Sequence, residues 1–246
     1  MAKFAVVLPA AGQSSRFAGK EKKPFTQLDG RAVWIRSVEA FVNRPDVVQI
    51  ILVISPEDRE LFTSRFAANV MFMNIHLVDG GKERFESIAN GLAKLDPEVE
   101  FVAVHDAVRP CVPAALIDQV FAMAEKTGAA LPGLPINETI KEVNQQQLIT
   151  KTVAREQLWA VQTPQVFRKE LLLEAYANRG NISGKITDDA QLVEALGQPV
   201  TVVPGSHYNI KITTKADLNL AGWYIKAKEA EDKPKVIRAF DDERFS

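Results

Sequence analysis

Phe4-Ala5-Val6-Val7-Leu8 runs without a break into Pro9-Ala10-Ala11-Gly12-Gln13-Ser14-Ser15-Arg16, and this junction decides the fold. A short, continuous apolar run followed by small residues is the pattern of a strand buried on both faces, with a ligand-sized loop after it. Small side chains let the backbone approach a ligand closely, and successive free N–H groups in such a loop form a concave anion site. Arg16, Lys20, Lys22 and Lys23 follow, and cations on the rim would neutralise a triphosphate. The same residues also suit an ordinary strand-to-helix loop with a solvated, lysine-rich surface.

Working outward, further apolar runs predict strands at Val47–Ile54, Met71–Val78, Phe101–Val104, Ala129–Pro135 and Val200–Val203. Between them lie helical stripes: Trp34, Ile35, Val38, Phe41 and Val42, then Phe85, Ile88, Ala89 and Leu92 at i, i+3, i+4, i+7. Ser55-Pro56 reads as an N-cap followed by proline at the first helical position, and Thr214–Asp217 as a capping box opening the last helix. Strands alternating with helices predict an α/β fold, a largely parallel sheet with helices on both faces. Ligands in such sheets sit beyond the carboxyl ends of the strands.

Two regions break the alternation. Thr139–Val143 and Leu148–Val153 flank the polar turn Asn144-Gln145-Gln146-Gln147, which predicts a hairpin projecting from the sheet. After about Lys226 the chain turns strongly charged and predicts a solvated tail. No internal repeat or linker divides the remainder, so the expectation is one domain with an arm.

Composition narrows the function. A formal net charge of −1 argues against general attraction to nucleic acid or anionic membranes, so anion binding must come from local clusters. No apolar run approaches the roughly 20 residues that span a bilayer. The passage from Met-Ala-Lys straight into Phe4 predicts no separate signal segment. A single cysteine, Cys111, cannot form an internal disulfide and suits a reducing cytoplasm; packing against the sheet is its expected role. His76, His105 and His207 are too scattered for an imidazole-held metal.

Two more loops follow predicted strands. In His105-Asp106-Ala107-Val108-Arg109-Pro110, Asp106 could orient a Mg²⁺–nucleotide or a ribose hydroxyl, and Arg109 could meet a phosphate bidentately. The alternative is an Asp–Arg pair that merely closes the turn. Asp79-Gly80-Gly81, with Ser87, could read a base edge, or could be a plain βα turn in which glycine supplies positive φ.

Taken together, these stretches resemble the 2-C-methyl-D-erythritol 4-phosphate cytidylyltransferases. The resemblance is carried by Ala10-Ala11-Gly12 with Arg16 and Lys23, Asp79-Gly80-Gly81, the His105–Pro110 hexapeptide, Thr163-Pro164-Gln165, Thr187-Asp188 and Asn209-Ile210-Lys211, in order over about residues 4–225. The chain departs from the family pattern at Ser14, at Lys22-Lys23-Pro24 and at Lys82.

The resemblance implies a single Rossmann-like nucleotidyltransferase domain over residues 1–228, with 136–156 as a dimerisation arm and 229–246 as a charged tail. It implies transfer of CMP from CTP to methylerythritol phosphate with release of pyrophosphate, with Mg²⁺ as the divalent metal, in a homodimer. Arg16 and Lys23 would stabilise the transition state, while Arg155 and Lys211 would position the acceptor. The nucleotide would lie against Ala10, Ala11, Gly12, Gln13, Ser14, Gly81 and Ser87. The sugar-phosphate pocket would be lined by Asp106, Arg109, Thr139, Thr163 and Thr187, with Asp106 also the metal ligand. No protein nucleophile is expected. Ribitol 5-phosphate is the competing acceptor, and a catalytically silent nucleotide-binding scaffold the reading from another class.

Overall fold

A computed structural model of the chain describes residues 1–12, 22–182 and 184–232. Gln13, Ser14 and Arg16, and the expected tail from residue 233 onward, lie outside the described residues.

The strands are β1 (Phe4–Pro9), β2 (Gln27–Leu28), β3 (Arg31–Ala32), β4 (Val47–Ile54), β5 (Ile75–Asp79), β6 (Phe101–Val104), β7 (Ala129–Pro135), β8 (Ile140–Val143), β9 (Ile149–Val153), β10 (Trp159–Val161), β11 (Gln165–Arg168) and β12 (Thr201–Pro204). The helices are α1 (Val33–Val42), α2 (Arg59–Ser64), α3 (Ala67–Phe72), α4 (Arg84–Leu92), α5 (Ala114–Thr127), α6 (Lys169–Ala177), α7 (Ala190–Glu194) and α8 (Lys215–Asp232). One eight-stranded sheet has the order β10-β7-β11-β6-β1-β4-β5, with β12 also paired to β7. The β6, β1, β4 and β5 strands are mutually parallel, as are β12 and β7. The short strands β10 and β11 run antiparallel to their neighbours, so the sheet is mixed but largely parallel.

The continuous apolar runs sit where both faces of the sheet are covered. Alternate residues of β1 enter opposite cores: Phe4, Val6 and Leu8 pack with Trp34, Phe41, Ile117 and Phe121 on one face, and Ala5 and Val7 with Ile88, Leu92 and Leu172 on the other. Each buried Val, Leu or Phe removes on the order of 1.5–3 kcal/mol worth of apolar surface from water, which explains why this strand tolerates no polar alternation.

Two expectations need correction. Met71 and Phe72 belong to α3, not to a strand; they are exposed, and Asn74 at φ 48 turns the chain before β5 begins at Ile75. The left-handed turn interrupts an apolar run that sequence alone reads as continuous. Ser55 makes no side-chain cap: Pro56–Asp58 form a 3₁₀ turn and α2 starts only at Arg59. The last helix, α8, runs from Lys215 to Asp232. Its capping box does form, with Asp217 Oδ2 accepting from the Thr214 N–H at 2.7 Å and the Asp217 N–H donating to Thr214 Oγ1 at 3.2 Å.

The hairpin forms as β8 and β9, which pair with each other and with no main-sheet strand among the described residues. Its turn is held by Asn144 Oδ1, which accepts from the Gln146 and Leu148 N–H groups at 3.0 and 2.9 Å. Val143, Leu148 and Ile149 are largely exposed on it.

Candidate active site

Because β6, β1, β4 and β5 are parallel neighbours, their carboxyl ends lie on one edge, and the loops after β1, β5 and β6 meet there. Ladder bonds continue past the strand ends and fix each loop's start: the N–H groups of Ala10, Gly80 and His105 donate to the carbonyls of Val53, Ile54 and Val7 at 2.7, 2.7 and 3.0 Å.

One side of this edge is defined by close approach. A Cβ on Gly80 would stand 2.7 Å from Ser87 Oγ and 2.8 Å from the Ala11 Cβ, and one on Gly81 would stand 2.4 Å from the Glu86 Cβ. Neither glycine has a left-handed φ, so both are needed for space and not for backbone conformation. Ala11, Gly80, Gly81 and Ser87 are thereby brought together, with the Gly81 N–H donating to Ser87 Oγ at 3.1 Å. Glu83 and Glu86 close a capping box at the start of α4.

Lys23 opens a short 3₁₀ turn with Pro24 and Phe25. Its position is held from both sides. Lys22 Nζ binds both Asp58 carboxylate oxygens at 2.8 Å, while Phe25 is buried against Phe62 and Phe66.

The other side centres on Asp106, which is 7% exposed. Its Oδ2 accepts from Arg109 Nε and from Lys211 Nζ, each at 3.0 Å. Burial by itself would raise the Asp106 pKa; Lys211, Arg109 and Arg84, in that order, overcome it and hold the carboxyl well below the usual range. Arg109 closes the turn, and its Nη1 also donates to the Asn209 carbonyl at 2.7 Å. With Nε and one N–H of Nη1 engaged inside the protein, the second N–H of Nη1 and the two of Nη2 are what Arg109 can offer a ligand.

Behind this pair, His105 is fully buried and burial pushes its pKa down to about 4, so the ring is neutral. The Arg109 carbonyl, 3.2 Å from Nε2, can only accept, which puts the proton on Nε2. Nδ1 therefore accepts from the Thr163 hydroxyl at 3.1 Å, and Thr163 Oγ1 accepts from the Asp106 N–H at 3.1 Å. Thr163 thus braces the turn and spends its donor there. Asn209, buried, donates to the Thr163 carbonyl at 2.7 Å and links Lys211 to the same framework. Cys111 packs beside Leu28, Val33, Ile212 and Ala221 under α8, not against the main sheet, and burial pushes its thiol up to about 11.

Other expected residues lie apart from this cluster. Thr139 and Arg155 are exposed beside the hairpin, where Arg155 Nη1 donates to the Asn137 carbonyl. Thr187 is exposed, with its N–H and hydroxyl held by Gln191 Oε1 at 2.9 and 3.1 Å.

A second buried network escaped sequence reasoning. Arg84 Nη2 donates to Asp189 Oδ2 at 2.7 Å, the Tyr176 hydroxyl donates to Asp189 Oδ1 at 2.6 Å, and Gln165 bridges the Asp188 carboxylate to the Asp189 and Ala190 N–H groups. One signal was present: a cation in the first turn of a helix opposes the macrodipole and calls for a nearby anion.

Among the described residues no helix is long and apolar enough to cross a membrane. Residues 4–227 match the family model of 2-C-methyl-D-erythritol 4-phosphate cytidylyltransferase. A curated relative of that name from Desulforamulus reducens is 40% identical over 229 residues, covering 93% of this chain and 98% of its own length. The crystal structure of 4-diphosphocytidyl-2C-methyl-D-erythritol synthase from Anaerococcus prevotii superposes with a TM-score of 0.78 at 29% identity, covering 92% of this chain and 96% of that one. The Thermus thermophilus cytidylyltransferase does so with a TM-score of 0.75 at 33% identity, covering 91% and 99%. With the match running through every loop of the site edge, the chain belongs to the 2-C-methyl-D-erythritol 4-phosphate cytidylyltransferase family.

Proposed function

We propose that the chain transfers CMP from CTP to 2-C-methyl-D-erythritol 4-phosphate, giving 4-diphosphocytidyl-2-C-methyl-D-erythritol and pyrophosphate, a step of isoprenoid precursor synthesis. The observation that carries the reading is the pairing, on one sheet edge, of the glycine-lined loop with the Asp106–Arg109–Lys211 cluster inside a family match over residues 4–227. A phosphate oxygen of the acceptor attacks the α-phosphorus in line; the bond to the β-phosphate oxygen breaks and pyrophosphate leaves. Positioning and charge neutralisation supply most of the acceleration in such transfers, so no protein nucleophile takes part.

The roles follow from this division. The nucleotide lies against Ala10, Ala11, Gly12, Gly81 and Ser87, with Gln13 and Ser14 continuing the loop, and Arg16 and Lys23 stabilise the charge that develops on the phosphates. Lys211, half-exposed and aligned by Asp106, meets the acceptor phosphate, with Arg155, Thr139 and Thr187 on the acceptor side. Arg109 and Thr163 brace Asp106 from behind. No group of three or more His, Cys, Asp or Glu side chains that could hold a metal occurs among the described residues. Mg²⁺ is commonly bound by one or two carboxylates plus substrate phosphates, and the lone carboxylate of Asp106 fits that limited role. When bound, the ion neutralises phosphate charge.

The hairpin, residues 136–156, is read as a dimerisation arm of a domain spanning 1–228, in a cytoplasmic homodimer. A two-stranded hairpin is marginal in water and needs a second surface, and Val143, Leu148, Ile149 and, just beyond, Trp159 and Val161 offer exposed apolar side chains for one. A two-fold partner with the same arm supplies it and brings Arg155 into a shared site.

The test is pyrophosphate release from CTP and Mg²⁺ with methylerythritol phosphate and ribitol 5-phosphate side by side. Turnover with the former is expected. Faster turnover with ribitol 5-phosphate would overturn the acceptor assignment, and none with either would favour a silent scaffold.

A further inference from the structure

The Arg84–Asp189 pair joins two parts of the site edge that are far apart in sequence. Arg84 is the first residue of α4, directly after the Gly80-Gly81 loop and its capping box. Asp189 is fully buried, immediately before α7 and next to Thr187-Asp188. The Arg84 guanidinium is one side chain shared by both loops, and it also lies close enough to Asp106 for the two charges to interact.

The attachment is unequal on its two sides. The nucleotide loop keeps its own bonds without Arg84: Gly80 N–H to the Ile54 carbonyl at 2.7 Å, Gly81 N–H to Ser87 Oγ at 3.1 Å, and Glu86 Oε2 accepting from the Lys82 and Glu83 N–H groups at 2.8 and 3.1 Å. The Asp189 loop also has bonds of its own, from the Asp189 and Ala190 N–H groups to Gln165 Oε1 and from the Thr187 N–H to Gln191 Oε1, but its buried carboxylate has no substitute for Arg84. That carboxylate is served by Tyr176, a neutral donor, and by Arg84, its one ion-pair partner among the described residues. A buried carboxylate stripped of its cation carries a large desolvation penalty, so removing Arg84 disturbs chiefly the Thr187–Asp189 side.

We propose that Arg84 is a positioning residue that docks the Thr187–Asp189 loop onto the nucleotide loop and thereby shapes the acceptor-phosphate pocket without itself touching the reacting atoms. This rests on the cytidylyltransferase reading above, in which Thr187 lines that pocket. Arg84→Met removes the cation and leaves Asp189 unpaired, so its unfolding midpoint falls and it cannot by itself separate positioning from folding. Arg84→Met with Asp189→Asn removes both charges while an amide oxygen still accepts from Tyr176, and separates the two effects.

For the double variant, the unfolding midpoint should return most of the way to that of the unsubstituted protein. The KM for methylerythritol phosphate should stay raised by about tenfold, with the KM for CTP within about twofold, the pattern of lost acceptor binding. Recovery of the acceptor KM together with the midpoint would make Arg84 merely structural and overturn the proposal, as would an equal rise in both KM values. If the unsubstituted chain releases no pyrophosphate from CTP and methylerythritol phosphate, the functional reading fails and takes this inference with it. Normal turnover with unmoved KM values in the variants sinks this inference alone.

Discussion

His105 makes the site edge acid-sensitive, and the size of the effect follows from its surroundings. Burial lowers its pKa from 6.5 to about 4, because the fully enclosed ring loses the hydration that a charged imidazolium needs, and this outweighs the pull of the neighbouring Asp106 carboxylate. As pH falls from 7, the unfolded chain takes up the proton first, near 6.5, while the folded chain resists until about 4. Stability is therefore full above about 6.5 and is lost progressively down to about 4. At about 1.4 kcal/mol per pH unit, that interval is worth on the order of 3 kcal/mol, a large part of the 5–15 kcal/mol typical of a folded protein. Asp106 acts with the same sign but only below the ordinary carboxylate range, because its folded pKa is depressed and its contribution is complete above its unfolded value. The window from 6.5 to 4.5 thus belongs to the histidine and not to that carboxylate. Urea unfolding at half-unit pH steps, followed by circular dichroism and by fluorescence including the buried Trp34, measures it. His105→Gln keeps one donor for the Arg109 carbonyl and one acceptor for Thr163, so it should remain folded and lose most of the acid slope across this window. A flat profile in the unsubstituted protein, or the same slope in His105→Gln, would refute the reasoning.

Lys23→Ala should lower kcat by roughly two to three orders of magnitude while leaving the urea midpoint nearly unchanged; normal kcat with only a raised KM for CTP would make it a simple binding residue. Gly80→Ala inserts a methyl group 2.7 Å from Ser87 Oγ and 2.8 Å from the Ala11 Cβ, so initial rates should show a raised KM for CTP, and urea unfolding a loss of about 1–3 kcal/mol. Ile149→Asp places a charge on the exposed face of the hairpin and should shift the sedimentation coefficient to that of a monomer; an unchanged oligomer would remove the arm from the interface. Mixing inactive Lys23→Ala and Arg155→Ala chains should restore part of the activity by subunit exchange if each site draws one residue from each chain.

The parallel half of the fold was legible because both of its faces are covered. Phe4–Pro9, Val47–Ile54 and Phe101–Val104 read as apolar runs since no residue in them meets bulk solvent on a regular alternation. The α1 and α4 stripes were legible for the complementary reason, with one face buried at helical period. The antiparallel strands were not. Trp159–Val161 is short and exposed, and Gln165–Arg168 buries a glutamine beside Val166 and Phe167 whose partners, Asp188 and the Asp189 and Ala190 N–H groups, come from more than twenty positions downstream. Nothing local marks that glutamine as satisfied.

The division at the site follows the same physics. Residue type and local spacing by themselves determined which loops follow which buried strands, and so placed Ala10–Gly12, Gly80-Gly81 and Asp106 at strand ends where ligands bind. Tertiary structure alone decided what each side chain has left to offer. It gives Arg109 the Asn209 carbonyl besides the neighbouring Asp106 that sequence already offered, puts Thr163 behind His105, keeps the imidazole neutral, and sets Arg84 against a buried Asp189. Those outcomes depend on charges and hydrogen bonds between residues roughly 50 to 100 positions apart, and Coulomb energies and desolvation are functions of distance and burial in space, which residue order does not contain.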